Sequence, residues 1–490
     1  MLRIKQHEFY IWIIALTLFY GYLGYIIPLH GTDWFWGSTQ GMQIIDSAFD
    51  NFNGRYLSNL LEFASVQFVI FRVMVYALIS ILLIFSILNV LGNFTSIKYV
   101  ILISTLLLII PNTLFAQSYG NFELFYTYVF GTCLSLNLLN FIIKVISNKS
   151  NIRRIEIALF WLICLVGQWF AEPLTFYNSV MICIGLVYYL YSNHKLNFNL
   201  VLGFMISLCG ALCMLLNNKY INMFSSFKSL REHLDIFGLQ HKLETTLFKD
   251  IPQYLFFNNI IIISILTILL LFLLLNNKVF QHYSKLKQMI LICGLSILPL
   301  YRVFIYVPFN LKQVATTMPF NIIHLIICAL FIVSLSIACS IVISKRDMRL
   351  IVSMAIISIL VSVLPTFLIA EVTVKQFYLA YVLMLMITVI LCIEADFLST
   401  IHYKILKSCI LIVALIYIFI FTDLHILNDQ RNEDIKAQLS NNEELVKISH
   451  LPYENYFYEI TPTDENDQSN FREFHKISDA RTIKVLPFEE

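Results

Sequence analysis

Long apolar runs separated by short polar breaks dominate the chain, at 9–28, 66–91, 99–116, 124–143, 156–175, 177–192, 198–216, 257–276, 288–305, 318–343, 350–370, 376–395 and 408–426. Most are long enough to cross a hydrocarbon core of about 30 Å. None shows the roughly ten-residue alternation of a membrane β-barrel strand, and backbone groups cannot stay unpaired in lipid, so the runs read as helices. The pattern predicts an all-α polytopic membrane protein with about thirteen transmembrane helices over residues 1–426.

Two loops and the tail interrupt this regularity. In the loop 29–65, Met42, Ile45, Phe49 and Phe52 recur at helical spacing, and Leu57, Leu60 and Leu61 follow Gly54. The spacing predicts an amphipathic helix pair with a bend at Gly54. The loop 217–256 repeats the theme, with Phe224, Phe227, Leu230 and Leu234 against charged neighbours. Residues 427–490 are polar enough to form a small separate tail. Within it, 456–460 and 482–486 alternate as short strands do, and 461–468 reads as a loop.

Composition excludes a soluble globular domain. Hydrophobic residues make up 59% of the chain and charged residues 13%, about half the roughly 25% of soluble proteins; the mean hydropathy is +0.76. Lys and Arg concentrate before the first run and in alternate loops, among them Lys144, Arg153, Arg154, Lys278, Lys285, Lys345, Arg346 and Arg349. By the positive-inside rule these loops and the N-terminus are cytoplasmic, and the loops 29–65 and 217–256 face outward with the tail. All 10 cysteines fall within the apolar runs, which argues against an extracellular disulfide framework. No nucleic-acid-binding, nucleotide-loop or zinc-hydrolase motif is present.

Candidate chemistry gathers on the outward side. Asp33 follows the first run by about five residues, between Thr32 and Trp34 with Trp36 close by. The two indoles suit interface anchoring and sugar stacking equally. Glu172 lies where one run gives way to the next, before Pro173 and shortly before Asn178, and an acid in apolar surroundings normally faces a cavity or a partner. Arg55, Arg72, Arg302 and Lys375 are cations near the same membrane depth, as a lipid-linked phosphate would require.

With Asp33-Trp34 and Asn53-Gly54-Arg55-Tyr56 in the first outer loop, the acidic Glu172 motif and an outer tail, the chain resembles the GT-C superfamily of membrane glycosyltransferases. More closely it resembles bacterial multi-pass proteins related to O-antigen glucosyltransferases. The resemblance implies transfer of a sugar from a polyprenyl-phosphate-linked donor to an extracytoplasmic cell-surface glycan, in the bacterial cell membrane. It implies that Asp33 activates or orients the acceptor, with Glu172 as a second catalytic acid. Trp34, Trp36, Arg55, Tyr56, Arg72, Asn178, Arg302 and Lys375 would contact the substrates. A single acid at Asp33, without an adjacent partner, leaves a divalent-metal cofactor open and implies no other. A flippase or transporter of lipid-linked glycans, and a polysaccharide polymerase or ligase, are the alternative readings.

Overall fold

The structure, a computed structural model, describes the chain apart from residues 1, 93–95, 148–151, 223–235, 312–317, 370, 398–399, 442, 464 and 488–490. The expected amphipathic face at Phe224, Phe227, Leu230 and Leu234 therefore lies outside the described residues. Every apolar run named above falls on a helix. Among the described residues ten helices are long and apolar enough to cross a membrane, or up to eleven if the bent pair Gln240–Phe257 and Ile260–Leu275 counts as one. That pair turns by 70° at Asn258 and Asn259. The Asn259 amide caps the first helix by donating to the Tyr254 and Leu255 carbonyls.

The remaining two runs form shorter helices than expected. Ile97–Leu108 has 12 residues and Arg154–Val166 has 13, which at 1.5 Å per residue gives roughly 18–20 Å. Pro111 separates the first from a one-turn helix at Asn112–Ala116. The second stops at Gly167. Pro173 does not break a continuing helix here. It occupies the first turn of a new one, Glu172–Asn193, where its missing N–H has no carbonyl to serve.

The bundle is organised around Val374–Glu394, which is buried along almost its whole length. This helix is apolar on every side, and such a helix is stable only when surrounded. The first helix, Leu2–Ile26, packs on Val69–Val90. Its Glu8 meets Lys407 and Tyr403 at the start of the final helix, Thr400–Ser440. That final helix has 41 residues and runs on beyond its apolar part into the tail. The ten cysteines are unpaired.

At the opposite end, the first loop folds into Thr32–Trp36, Thr39–Asp46 and Tyr56–Gln67. The expected helix pair is present, but its second member buries its polar face. Ser58, Asn59, Glu62 and Ser65 point into the protein, while Leu60 is exposed beside Phe68 and Ile70. Leu61 and Phe63 still pack against the core and Trp36, so the helix buries its polar face and part of its apolar one. Gly54 is required by proximity: a Cβ there would lie 2.3 Å from the Met214 carbonyl oxygen.

The tail forms a small lobe over this end. Strand β1 (Leu445–Ser449) pairs in parallel with β2 (Thr482–Leu486), and the helix Glu465–His475 crosses between them in sequence. The strand at 482–486 matches the expectation. The 456–460 segment is no strand, and much of the expected 461–468 loop is helical. A separate small core holds the lobe, in which Trp34 joins Ile435, Val446, Ile448, Phe471 and Ile477. Glu459 also reaches Gly31, and Tyr456 reaches Gly120.

Candidate functional site

The Asn53-Gly54-Arg55-Tyr56 stretch positions one guanidinium. The Asn53 side chain accepts from the Arg55 backbone N–H at 2.9 Å and from the Asn59 amide at 2.7 Å, fixing the turn that starts the next helix. The Tyr56 ring packs edge-on to Trp169 and Phe49. Arg55 then projects across to the first residue of another helix. Its Nε donates to both Glu172 oxygens at 3.1 Å, and its Nη2 donates to Oε2 at 2.9 Å. Its Nη1 lies 3.5 Å from Glu123 Oε1. The Tyr220 hydroxyl donates to Glu172 Oε1. One guanidinium therefore bridges two carboxylates, and the Tyr220 phenol holds Glu172.

This assembly forms the polar end of a cavity of about 690 Å³. Tyr128, Glu371, Lys375 and Tyr458 complete that end. Lys375 lies within the short turn Val374–Phe377, capped reciprocally by Thr373 and Gln376. Its backbone N–H donates to Gln117 Oε1 at 3.2 Å, and its ammonium lies 5.2 Å from the centre of the Tyr458 ring. Phe176, Ala211, Leu215 and Leu368 add apolar lining to the same cavity. Leu368 is 76% exposed, so this lining continues onto the outer surface of the bundle.

Behind Arg55 lies a buried group of acids. The Thr32 hydroxyl donates to Glu123 Oε2 at 2.8 Å, linking Glu123 to the helix that carries Asp33. Asp33 is fully buried: Oδ2 accepts from the His30 backbone N–H at 3.2 Å, and Oδ1 has no hydrogen-bond partner. Neither oxygen of the fully buried Glu62 closes a hydrogen bond of acceptable geometry. Burial pushes the Asp33 carboxyl up to about 8, reinforced by Glu123 and opposed by the His30 N–H and Arg72. Burial also raises Glu62, with the charges of Glu123 and Asp33 adding to it. Burial therefore biases both carboxyls towards the protonated form. Burial lowers the His30 imidazole to about 4, so it is neutral.

Of the residues expected from sequence, Arg55, Glu172 and Lys375 converge on the cavity. Asp33 and Arg72 do not line it. Arg72 is buried, donates to the Gly24 carbonyl at 3.1 Å, lies over the Phe122 ring, and its charge acts on Asp33. Trp34 and Trp36 are both buried, the first in the tail lobe and the second among Phe35, Phe52 and Phe63, so neither offers a free face to a sugar. Asn178 is buried between helices, accepting from Ser135 Oγ at 2.8 Å. Arg302 lies elsewhere, donating to the Phe257 carbonyl at 3.2 Å and stacking over Tyr306. Sequence reading missed Tyr128, Tyr220, Tyr458 and Glu123. Only Glu123 carried a visible signal, as an acid at the edge of an apolar run. Among the described residues, no three His, Cys, Asp or Glu side chains converge in an arrangement able to hold a metal ion.

Comparison with known protein families, curated proteins and solved structures returned no match. Helix lengths and apolarity define the class: the architecture is that of a mostly helical, polytopic membrane protein with a small two-stranded sheet in its tail.

Proposed function

We propose that this chain is a membrane glycosyltransferase that moves a sugar from a polyprenyl-phosphate-linked donor to a glycan acceptor on the outer face of a bacterial cell membrane. The observation that carries this reading is the mixed lining of the cavity, which joins cations, carboxylates and phenols to apolar side chains including the exposed Leu368. An isoprenoid chain fits along Phe176, Leu215 and Leu368, and its phosphate then meets Lys375, with Arg55 adjacent.

Glu172 is the carboxylate that receives the acceptor proton, since it lines the cavity and is oriented by Arg55 and Tyr220. In this step the acceptor oxygen bonds to the anomeric carbon and the bond from that carbon to the phosphate oxygen breaks. The hydroxyl proton passes to Glu172, and polyprenyl phosphate leaves with the bonding electron pair, its charge met by Lys375. Asp33 is buried outside the cavity, bonded to the His30 N–H, and does not take the acceptor proton.

The test uses the purified protein in proteoliposomes with a panel of polyprenyl-phosphate hexoses and a glycan acceptor extracted from the cell surface. Release of polyprenyl phosphate and growth of the acceptor by one sugar are expected. Glu172→Gln should slow the reaction by roughly 10²–10⁴-fold while the donor still binds. Donor that crosses the bilayer unaltered would replace this reading with a flippase. Neither transfer nor movement across the whole panel would remove both.

A further inference from the structure

A second cavity, of about 490 Å³, lies at the other end of the bundle. The helix Arg346–Val363 and its continuation to Phe367 connect the two places: Lys345 and Arg346 line this second cavity, and Pro365 lines the first. Those 22 residues span roughly 33 Å at the helical rise, so the two cavities are separated by about a bilayer core.

Its lining is unlike that of the first. Lys144, Lys345 and Arg346 bring three cations, and Asp347 is the acid among them. Lys144 also meets Glu156 at 3.4 Å. Lys345 and Arg346 stand at the N-terminus of an 18-residue helix, whose first N–H groups lack carbonyl partners and favour an anion. Asn140 supplies an independent observation. It is only 8% exposed and lines the cavity, and its side chain makes no hydrogen bond among the described residues. The amide is not sealed from solvent but opens into the cavity, where water or a ligand can engage it. Asn89 presents a second amide to the same space. The positive-inside rule accounts for basic residues at this end, but not for a cavity of this size or for an unpartnered amide inside it.

We infer that this cavity is a binding site for a phosphate-bearing anion, with Lys345, Arg346 and the helix N-terminus meeting the charge and Asn140 contributing a neutral hydrogen bond. The chemistry is shared by two sources, the headgroup of an acidic phospholipid and a soluble phosphate. Basic pockets between membrane helices take such headgroups. The site is independent of the transfer reaction proposed above, because none of its residues touches the first cavity.

Native mass spectrometry of the full-length protein in neutral detergent tests this, with phosphatidylglycerol, phosphatidylcholine and inorganic phosphate as probes. Phosphatidylglycerol is expected to bind in preference to phosphatidylcholine. The double variant Lys345→Gln, Arg346→Gln should weaken that binding by about thirtyfold, the effect of two near-surface cations. Asn140→Asp preserves side-chain size but adds a negative charge, and should weaken binding comparably. Variants that keep the wild-type melting temperature while losing the lipid support the site directly. Inorganic phosphate that binds with the same dependence on these residues supports a soluble ligand instead of a lipid. Binding unchanged in both variants, or no preference for either anion over phosphatidylcholine, overturns the proposal.

Discussion

At Asp33 the surroundings decide the protonation state. The carboxyl is buried, and its pKa is raised to about 8, against about 3.9 in an unfolded chain. The folded state therefore binds a proton that the unfolded state has released above pH 4. Stability from this source is fully present below pH 4 and is lost as pH rises through about 8, at a slope of about 1.4 kcal/mol per pH unit for one proton. Glu62 shifts in the same direction and faces the same charges, so the slope belongs to the pair. Thermal unfolding in detergent should show wild-type protein losing stability from pH 5 to 8, and Asp33→Asn should flatten that decline. A wild-type melting temperature that rises over this range would contradict a protonated Asp33. The same burial predicts that Asp33→Asn slows transfer less than tenfold, well short of the effect of Glu172→Gln. A larger loss in the Asp33 variant would return it to the reacting centre. Arg55, Glu172 and Lys375 were legible because ionisable groups in apolar surroundings stand out. Tyr128, Tyr220 and Tyr458 were not, since the chain has 26 tyrosines and nothing local distinguishes these three.

At the scale of elements, thirteen apolar runs were readable and all became helices, but their ends were decided by caps and contacts. Glu172 illustrates this. The apolar run into which it was read is split at Gly167, and Glu172 opens the following helix because Ala171 is extended and Pro173 suits a first turn. The buried polar face of Tyr56–Gln67 has a similar origin, because the side that packs inward depends on neighbours and not on periodicity. The Thr32–Trp36 turn is held to the tail by Trp34, whose ring lies 4.9 Å from Phe471 in edge-on contact. Removing that indole should cost about 3–5 kcal/mol, as for other buried Trp truncations, and the loss should fall on the tail lobe. Trp34→Ala is expected to speed hydrogen exchange in Glu465–His475 and in β1 while leaving Val374–Glu394 protected. Equal protection of the lobe in variant and wild type would show that Trp34 is not its anchor.

For the whole molecule, the tail lobe and the first loop occupy one end of the bundle, and the start of the first helix and the second cavity the other. A tail opposite the N-terminus requires an odd number of crossings, which the eleven spans reached by counting the bent pair as one supply and ten do not. The charge distribution then predicts which end faces outward. In a background without the native cysteines, Ser440→Cys in the lobe should react with an impermeant thiol reagent in intact cells. Ser284→Cys, exposed at the other end, should react only after permeabilisation. The reverse pattern would invert the molecule and put the first cavity on the cytoplasmic side, where an extracytoplasmic acceptor could not reach it.

The sequence by itself determined the class of this protein, since the length and apolarity of its runs leave helices as the only way to satisfy the backbone in lipid. It also marked Arg55, Glu172 and Lys375, because charge beside hydrocarbon is costly wherever the chain goes next. Only the tertiary structure decided which of the marked residues share a space. Arg55 and Glu172 are 117 positions apart and meet through a bidentate contact, whereas Asp33 was drawn behind them into the interior and Arg302 was carried to another part of the bundle. The face of a helix that meets lipid, the partner of a buried acid and the shape of a cavity all depend on contacts between distant segments, and no local pattern of hydrophobic and polar residues encodes those contacts.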